Sequence, residues 1–211
     1  MFRYARRAVP WSLVAAGSAL LVVLIALVEY DPWRLWPLQG IAVGLLAATT
    51  AWCLDEPAAA VVDPSPRGLA WRTAARLPAV ALPAAVWTIG CWSARDSLFG
   101  HPGAVTAQGL AAAAMALAWV TARRTGGDAT PGQRLALVVV PVTTAWALVR
   151  PAQEWLPVFP YGPDGADSAD WRASVVGWAV LGLAAALVLA VLLATEGRVP
   201  RARRVPTPAA R

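Results

Sequence analysis

The sequence predicts an all-α, polytopic transmembrane bundle of about six helices with both termini cytoplasmic, and three observations carry that reading. Of its 211 residues, 58% are hydrophobic and 14% charged, against roughly 25% charged in an ordinary soluble domain. The apolar residues gather into six stretches, at 9–28, 35–54, 77–94, 103–122, 134–149 and 174–194. Each approaches the roughly 20 residues that cross a bilayer as helix. No stretch alternates with period two, which argues against a membrane β-barrel. Finally, if the N-terminus is inside, Arg34, Arg95, Arg150 and Arg172 fall outside and the other fourteen of the eighteen basic residues fall inside. That is a strong positive-inside bias, and it places the chain in the plasma membrane as a multi-pass protein.

The first span, 9–28, follows Arg3, Arg6 and Arg7 in the manner of a secretion signal. Its apolar core is longer than a signal's, and no small-x-small cleavage site precedes Glu29-Tyr30-Asp31-Pro32, so it reads as a retained helix. The second, 35–54, carries Gly40 and Gly44 in a GxxxG continued by Ala47, Ala48 and Ala51. Such a stripe admits the close approach of another helix, from this chain or from a partner.

The stretch CLDEPAAAVVD, 53–63, has the spelling of a Walker B segment. A P-loop needs a lysine in G-x-x-x-x-G-K-[ST], and this chain has no lysine. Asp55-Glu56-Pro57 therefore marks where the second helix leaves the lipid, the charges at the interface and the proline stopping the helix. In the cytoplasmic loop 55–76, Ser65 and Pro66 suit the N-cap and first position of a helix that carries Arg67, Trp71, Arg72 and Arg76 toward the third span. Two readings of this loop stand side by side. It is a membrane-surface helix with arginines among the headgroups, or it docks a separate cytoplasmic protein, which its length favours.

Pro83 in span 77–94 and Pro141 in span 134–149 should kink their helices and free a carbonyl one turn back, with Thr88, Thr143 and Thr144 close enough to satisfy it. Both spans also share an Arg-Leu seven residues before the proline, a hint of a parallel repeat. Span 134–149 is the shortest, limited by Pro151. The outer loop 150–173 mixes Trp155, Phe159, Tyr161 and Trp171 with four prolines, as a lid or as an interface anchor. After span 174–194, residues 196–211 form a basic, proline-containing tail suited to anionic headgroups.

No catalytic, cofactor or metal site is expected. Ionisable residues are absent from the span midplanes, which disfavours an ion-coupled carrier. Ser18 lacks a triad, and His101 is the lone histidine. Cys53 and Cys91 sit at opposite depths and should be free thiols. The net charge of +6 reflects topology and lipid attraction, and no nucleic-acid module accompanies it.

Leu54-Asp55-Glu56-Pro57-Ala58, the arginine-rich run 67–76 and Trp171 ahead of a long last span together resemble the small six-span, permease-like membrane proteins of actinobacteria. Those proteins accompany a separately encoded ABC ATPase, broadly of the ABC-2 exporter type. The resemblance implies a non-catalytic permease-like subunit of an export system, with loop 55–76 coupling to the ATPase and a second permease chain as a further partner. A free-standing accessory or scaffold protein that assembles another membrane complex is the alternative.

Overall fold

The computed structural model describes residues 8–56, 68–150, 157–160 and 169–195. Arg67, the Ser65–Pro66 cap, most of loop 150–173 and the 196–211 tail lie outside them. Six long helices follow in order: α1 (Trp11–Tyr30), α2 (Leu35–Trp52), α3 (Leu69–Ser93), α4 (Pro102–Thr125), α5 (Pro131–Val149) and α6 (Ala169–Thr195). All six are long and apolar enough to cross a membrane, and among the described residues no strand occurs.

Local chemistry sets their ends. Proline opens α4 and α5, where its missing N–H costs nothing. Asp31 stops α1, and its carboxylate accepts from the Trp33 N–H to start a short 3₁₀ turn into α2. Arg150, in the left-handed region at φ 52°, closes α5.

Helices α1, α2, α4 and α3 form a ring, α5 lies along α2, and α6 lies along α4. Burial follows this arrangement: the most apolar window of α2 is 67% buried, whereas that of α6 is 11% buried. The outer helices turn Leu137, Val138, Leu183 and Leu187 outward. Outward leucines and valines suit hydrocarbon, which satisfies them as a core would.

Contacts define two ends of the bundle. At one, Glu56 meets Arg72, Arg76 and Arg124; at the other, Trp33 packs edge-on against Phe99 and His101 stacks on Trp171. Successive helices therefore run in opposite directions.

The glycine stripe of α2 is filled inside the chain. A methyl on Gly40 would overlap Thr143 and Ala147 of α5, and one on Gly44 would overlap the Thr143 hydroxyl. A second chain reaching this face would have to displace α5.

Two expectations are revised. Residues 69–76 are no separate surface helix but the first turns of α3, which is continuous over 25 residues, roughly 37 Å at 1.5 Å per residue, longer than the roughly 30 Å hydrocarbon core. The arginines of its first turns, Arg72 and Arg76, are buried in the bundle. The threonines, moreover, do not serve the carbonyls freed by proline. Thr88 donates to Ala84, Thr143 to Val139 and Thr144 to Val140, one turn behind each threonine, whereas Pro83 and Pro141 free the carbonyls of Ala79 and Leu137. Both prolines lie inside uninterrupted helices.

Candidate functional site

Asp55 and Glu56 leave α2 side by side and build a polar clasp across four helices. Glu56 is 3% exposed. Its Oε2 accepts from Arg72 Nη1 at 3.0 Å and from Arg124 Nη2 at 2.9 Å, and its Oε1 pairs with Arg76 Nη2 at 3.1 Å. The arginines are tied to the backbone as well: Arg76 Nη1 donates to the Leu54 carbonyl at 2.7 Å, and Arg124 Nη1 donates to the Asp128 carbonyl at 2.9 Å. The Glu56 N–H itself donates to the Ala129 carbonyl at 3.0 Å. One carboxylate thereby joins the end of α2 to α3 and α4.

Asp55 reaches the fourth helix. Thr130 stands at the N-cap of α5 without capping it through its side chain. Instead the Asp55 carboxylate accepts from the N–H groups of Gly132 at 2.6 Å and Gln133 at 2.9 Å. This is a helix cap supplied from another helix, satisfying orphan donors and placing a negative charge at the positive end of the α5 dipole. A methyl on Gly132 would overlap the Ala51 carbonyl, so only glycine admits the close approach. Burial pushes the Asp55 carboxyl above its usual range, and the Gly132 and Gln133 N–H groups and the Arg76 charge offset this in part. Outside the clasp, Asp128 pairs with exposed Arg134 at 3.0 Å and Arg123 at 3.6 Å.

Asp55, Glu56, Arg72 and Arg76, expected to face headgroups or a partner, are thus brought together and turned inward. Trp71 is half-buried on the first turn of α3. Arg124, read from the sequence only as a topology charge, is the fourth member of the ionic group. Its signal was present in the spacing: a basic residue in the last turn of α4 meets the acidic exit of α2 if successive helices pack antiparallel.

A second polar array lies near the other end, which the sequence reading passed over because it looked for ionisable groups alone. Gln39 of α2 donates to Gln108 Oε1 at 2.5 Å, Gln108 of α4 donates to the Ser174 hydroxyl at 3.0 Å, and Ser174 of α6 donates to the Val158 carbonyl at 3.1 Å. Trp178 Nε1 also donates to Val158, at 2.9 Å. Two glutamines inside apolar spans are a legible signal, since amides in lipid seek one another. Nearby, Trp87 Nε1 donates to the Thr106 carbonyl at 3.2 Å, with its indole laid against Gly109, where any side chain would collide. Cys53 and Cys91 are free and buried.

No protein-family model, curated protein or solved structure matches the chain.

Proposed function

We propose that the chain is the membrane-spanning, permease-like subunit of an ABC-type export system energised by a separate ATPase, with the Asp55 end in the cytoplasm. The observation supporting it is the clasp. Asp55 and Glu56 tie the ends of α2, α3, α4 and α5 together, so that a push on loop 55–76 would reach four helices at once. Arg72 and Arg76 are then the frame behind a coupling surface rather than its hooks. The surface itself would include exposed Arg123 and Arg134, and Pro83 and Pro141 would be the points of bending.

Replacing Arg72 and Arg76 would damage the fold and lose any partner indirectly. The useful variant is Arg123→Glu with Arg134→Glu, purified in mild detergent, with bound chains identified by mass spectrometry and ATP hydrolysis assayed. A nucleotide-binding subunit that is retained by the native chain and lost from the folded double variant supports the coupling role. Recovery of other membrane subunits without an ATPase supports the accessory or scaffold reading. One observation favours that second reading: α6 leans on α4 alone among its neighbours of substantial contact, leaving long apolar faces for helices of another complex.

A further inference from the structure

We propose that Arg123, Arg134 and Trp119 form a headgroup site for an anionic phospholipid at the Asp55 end of the bundle, where α4 turns into α5. The inference stands without the transport reading, since it concerns the chain alone in a bilayer. Arg123 and Arg124 are consecutive, so they leave α4 about 100° apart, and they have opposite fates. Arg124 turns inward to Glu56, whereas the Arg123 side chain is 53% exposed. Arg134, in the first turn of α5, is 64% exposed. Arg72 and Arg76, the arginines expected among headgroups, are buried, and this exposed pair takes that place.

One carboxylate holds the two arginines together. Asp128 Oδ2 pairs with Arg134 Nη1 at 3.0 Å and with Arg123 Nη2 at 3.6 Å, so those nitrogens lie within about 7 Å of each other, close enough for one phosphate group to bond both. Asp128 is fixed from its other side, where Oδ1 accepts the Thr130 N–H at 3.3 Å, and its side chain is only 10% exposed. An anion approaching from outside therefore meets guanidinium before carboxylate. Two guanidiniums against one carboxylate leave a single positive charge, which one phosphodiester would neutralise. Each guanidinium carries five N–H donors in a planar fork, and Asp128 engages one nitrogen of each. Donors remain for the bidentate grip that arginine gives to phosphate.

Apolar surroundings make the carrier of that phosphate a lipid. The Arg123 guanidinium lies over the Trp119 ring, 5.9 Å from its centroid, a cation–π contact that steadies the arginine. Trp119 stands one turn earlier on the same face of α4 and is itself exposed, in the manner of a tryptophan at the membrane–water boundary. Exposed Met115 continues that face toward the middle of the helix. On α5, Leu137 and Val138 follow Arg134 by three and four residues and are 78% and 58% exposed. Both helices thus present hydrocarbon directly below a guanidinium, which suits acyl chains hung from a phosphate, while a soluble phosphate would gain nothing from it.

The test titrates the full chain, in mild detergent, with phosphatidylglycerol or phosphatidylcholine of identical acyl chains and counts bound lipid by native mass spectrometry. The first phosphatidylglycerol should bind about tenfold more tightly than phosphatidylcholine, the factor expected of one charge-assisted hydrogen bond. Arg123→Gln with Arg134→Gln should bring the two lipids level, and Trp119→Leu should weaken phosphatidylglycerol about two- to fivefold. Arg34→Gln with Arg95→Gln, which removes two exposed arginines from the other end, should change neither affinity. Equal affinity for the two lipids in the native chain overturns the proposal. So does an equal loss from the two double variants, which would show attraction to net charge alone. Displacement of phosphatidylglycerol by inorganic phosphate would assign the arginines to a soluble anion and overturn the lipid. None of these outcomes bears on the transport reading, because no second chain takes part.

Discussion

Three guanidiniums converge on the Glu56 carboxylate, and each arginine is at least 94% buried. Removing the carboxylate would leave like charges facing one another in a site that water barely reaches. Glu56→Gln should therefore destabilise the bundle by about 3–5 kcal/mol, the cost of breaking a buried ion pair from one side, measured as thermal unfolding in detergent. Arg134→Ala should cost under about 1 kcal/mol, because its pair with Asp128 is exposed. Asp55 behaves differently with pH. Its carboxyl is raised by burial, against the pull of the Gly132 and Gln133 N–H groups, so the folded chain holds the Asp55 proton more tightly than the unfolded chain does. The stability it contributes is then fully present below its unfolded value, near about 3.9, and is lost as pH rises through the folded value. The melting temperature of the native chain minus that of Asp55→Asn should fall as pH is raised from about 4, and a difference that rises with pH would contradict this assignment.

Glycine decides how closely the elements meet. The α2–α5 seam closes because Gly40 and Gly44 let the Thr143 turn of α5 reach the α2 backbone, and Gly132 brings the start of α5 to the last turn of α2. On α6, by contrast, Gly177 has nothing within 4 Å of where a Cβ would stand. Gly44→Val should push α5 from α2 and lower stability by about 1–3 kcal/mol, as overpacking does, whereas Gly177→Val should be nearly silent; equal losses at the two sites would place the seam elsewhere. The same contrast explains why a glycine stripe can be read from the sequence but its partner cannot. Small residues at i and i+4 advertise a close contact, yet any helix without bulk at the facing turn can supply it.

At the scale of the molecule, charge is divided between the two ends. Arg72, Arg76, Arg123, Arg124 and Arg134 gather at the Asp55 end, while Arg34, Arg95 and Arg150 belong to the other. On the orientation proposed above, in which the positive-inside rule holds, the Asp55 end would be cytoplasmic. Thr125→Cys and Gly103→Cys test this, both positions being exposed at opposite ends, against a background of two buried native thiols. A membrane-impermeant maleimide added to intact cells should label the cysteine at 103 and spare the one at 125. The reverse pattern would invert the bundle and remove the ground for a cytoplasmic ATPase at the clasp.

Number and order of the helices were legible in the sequence because each depends on the hydropathy of one contiguous stretch: the spans expected at 35–54 and 103–122 meet the helices Leu35–Trp52 and Pro102–Thr125 to within three residues, whereas the helix expected from 77 begins at Leu69, because its first turns carry arginines that hydropathy alone assigns to a loop. The acidic exit at Asp55 and Glu56 and the arginines at 72 and 76 were equally visible as places where charge collects. Their orientation was not, because a charge at a membrane boundary is served as well by headgroups as by a counter-charge, and sequence distance does not choose between them. Glu56 finds Arg124 sixty-eight positions away, and Asp55 caps a helix that begins seventy-six residues later. Only the ring of α1 to α4, with α5 laid on α2, brings these groups together. The alternative, leaving buried donors and charges without partners, would cost more than the packing gains.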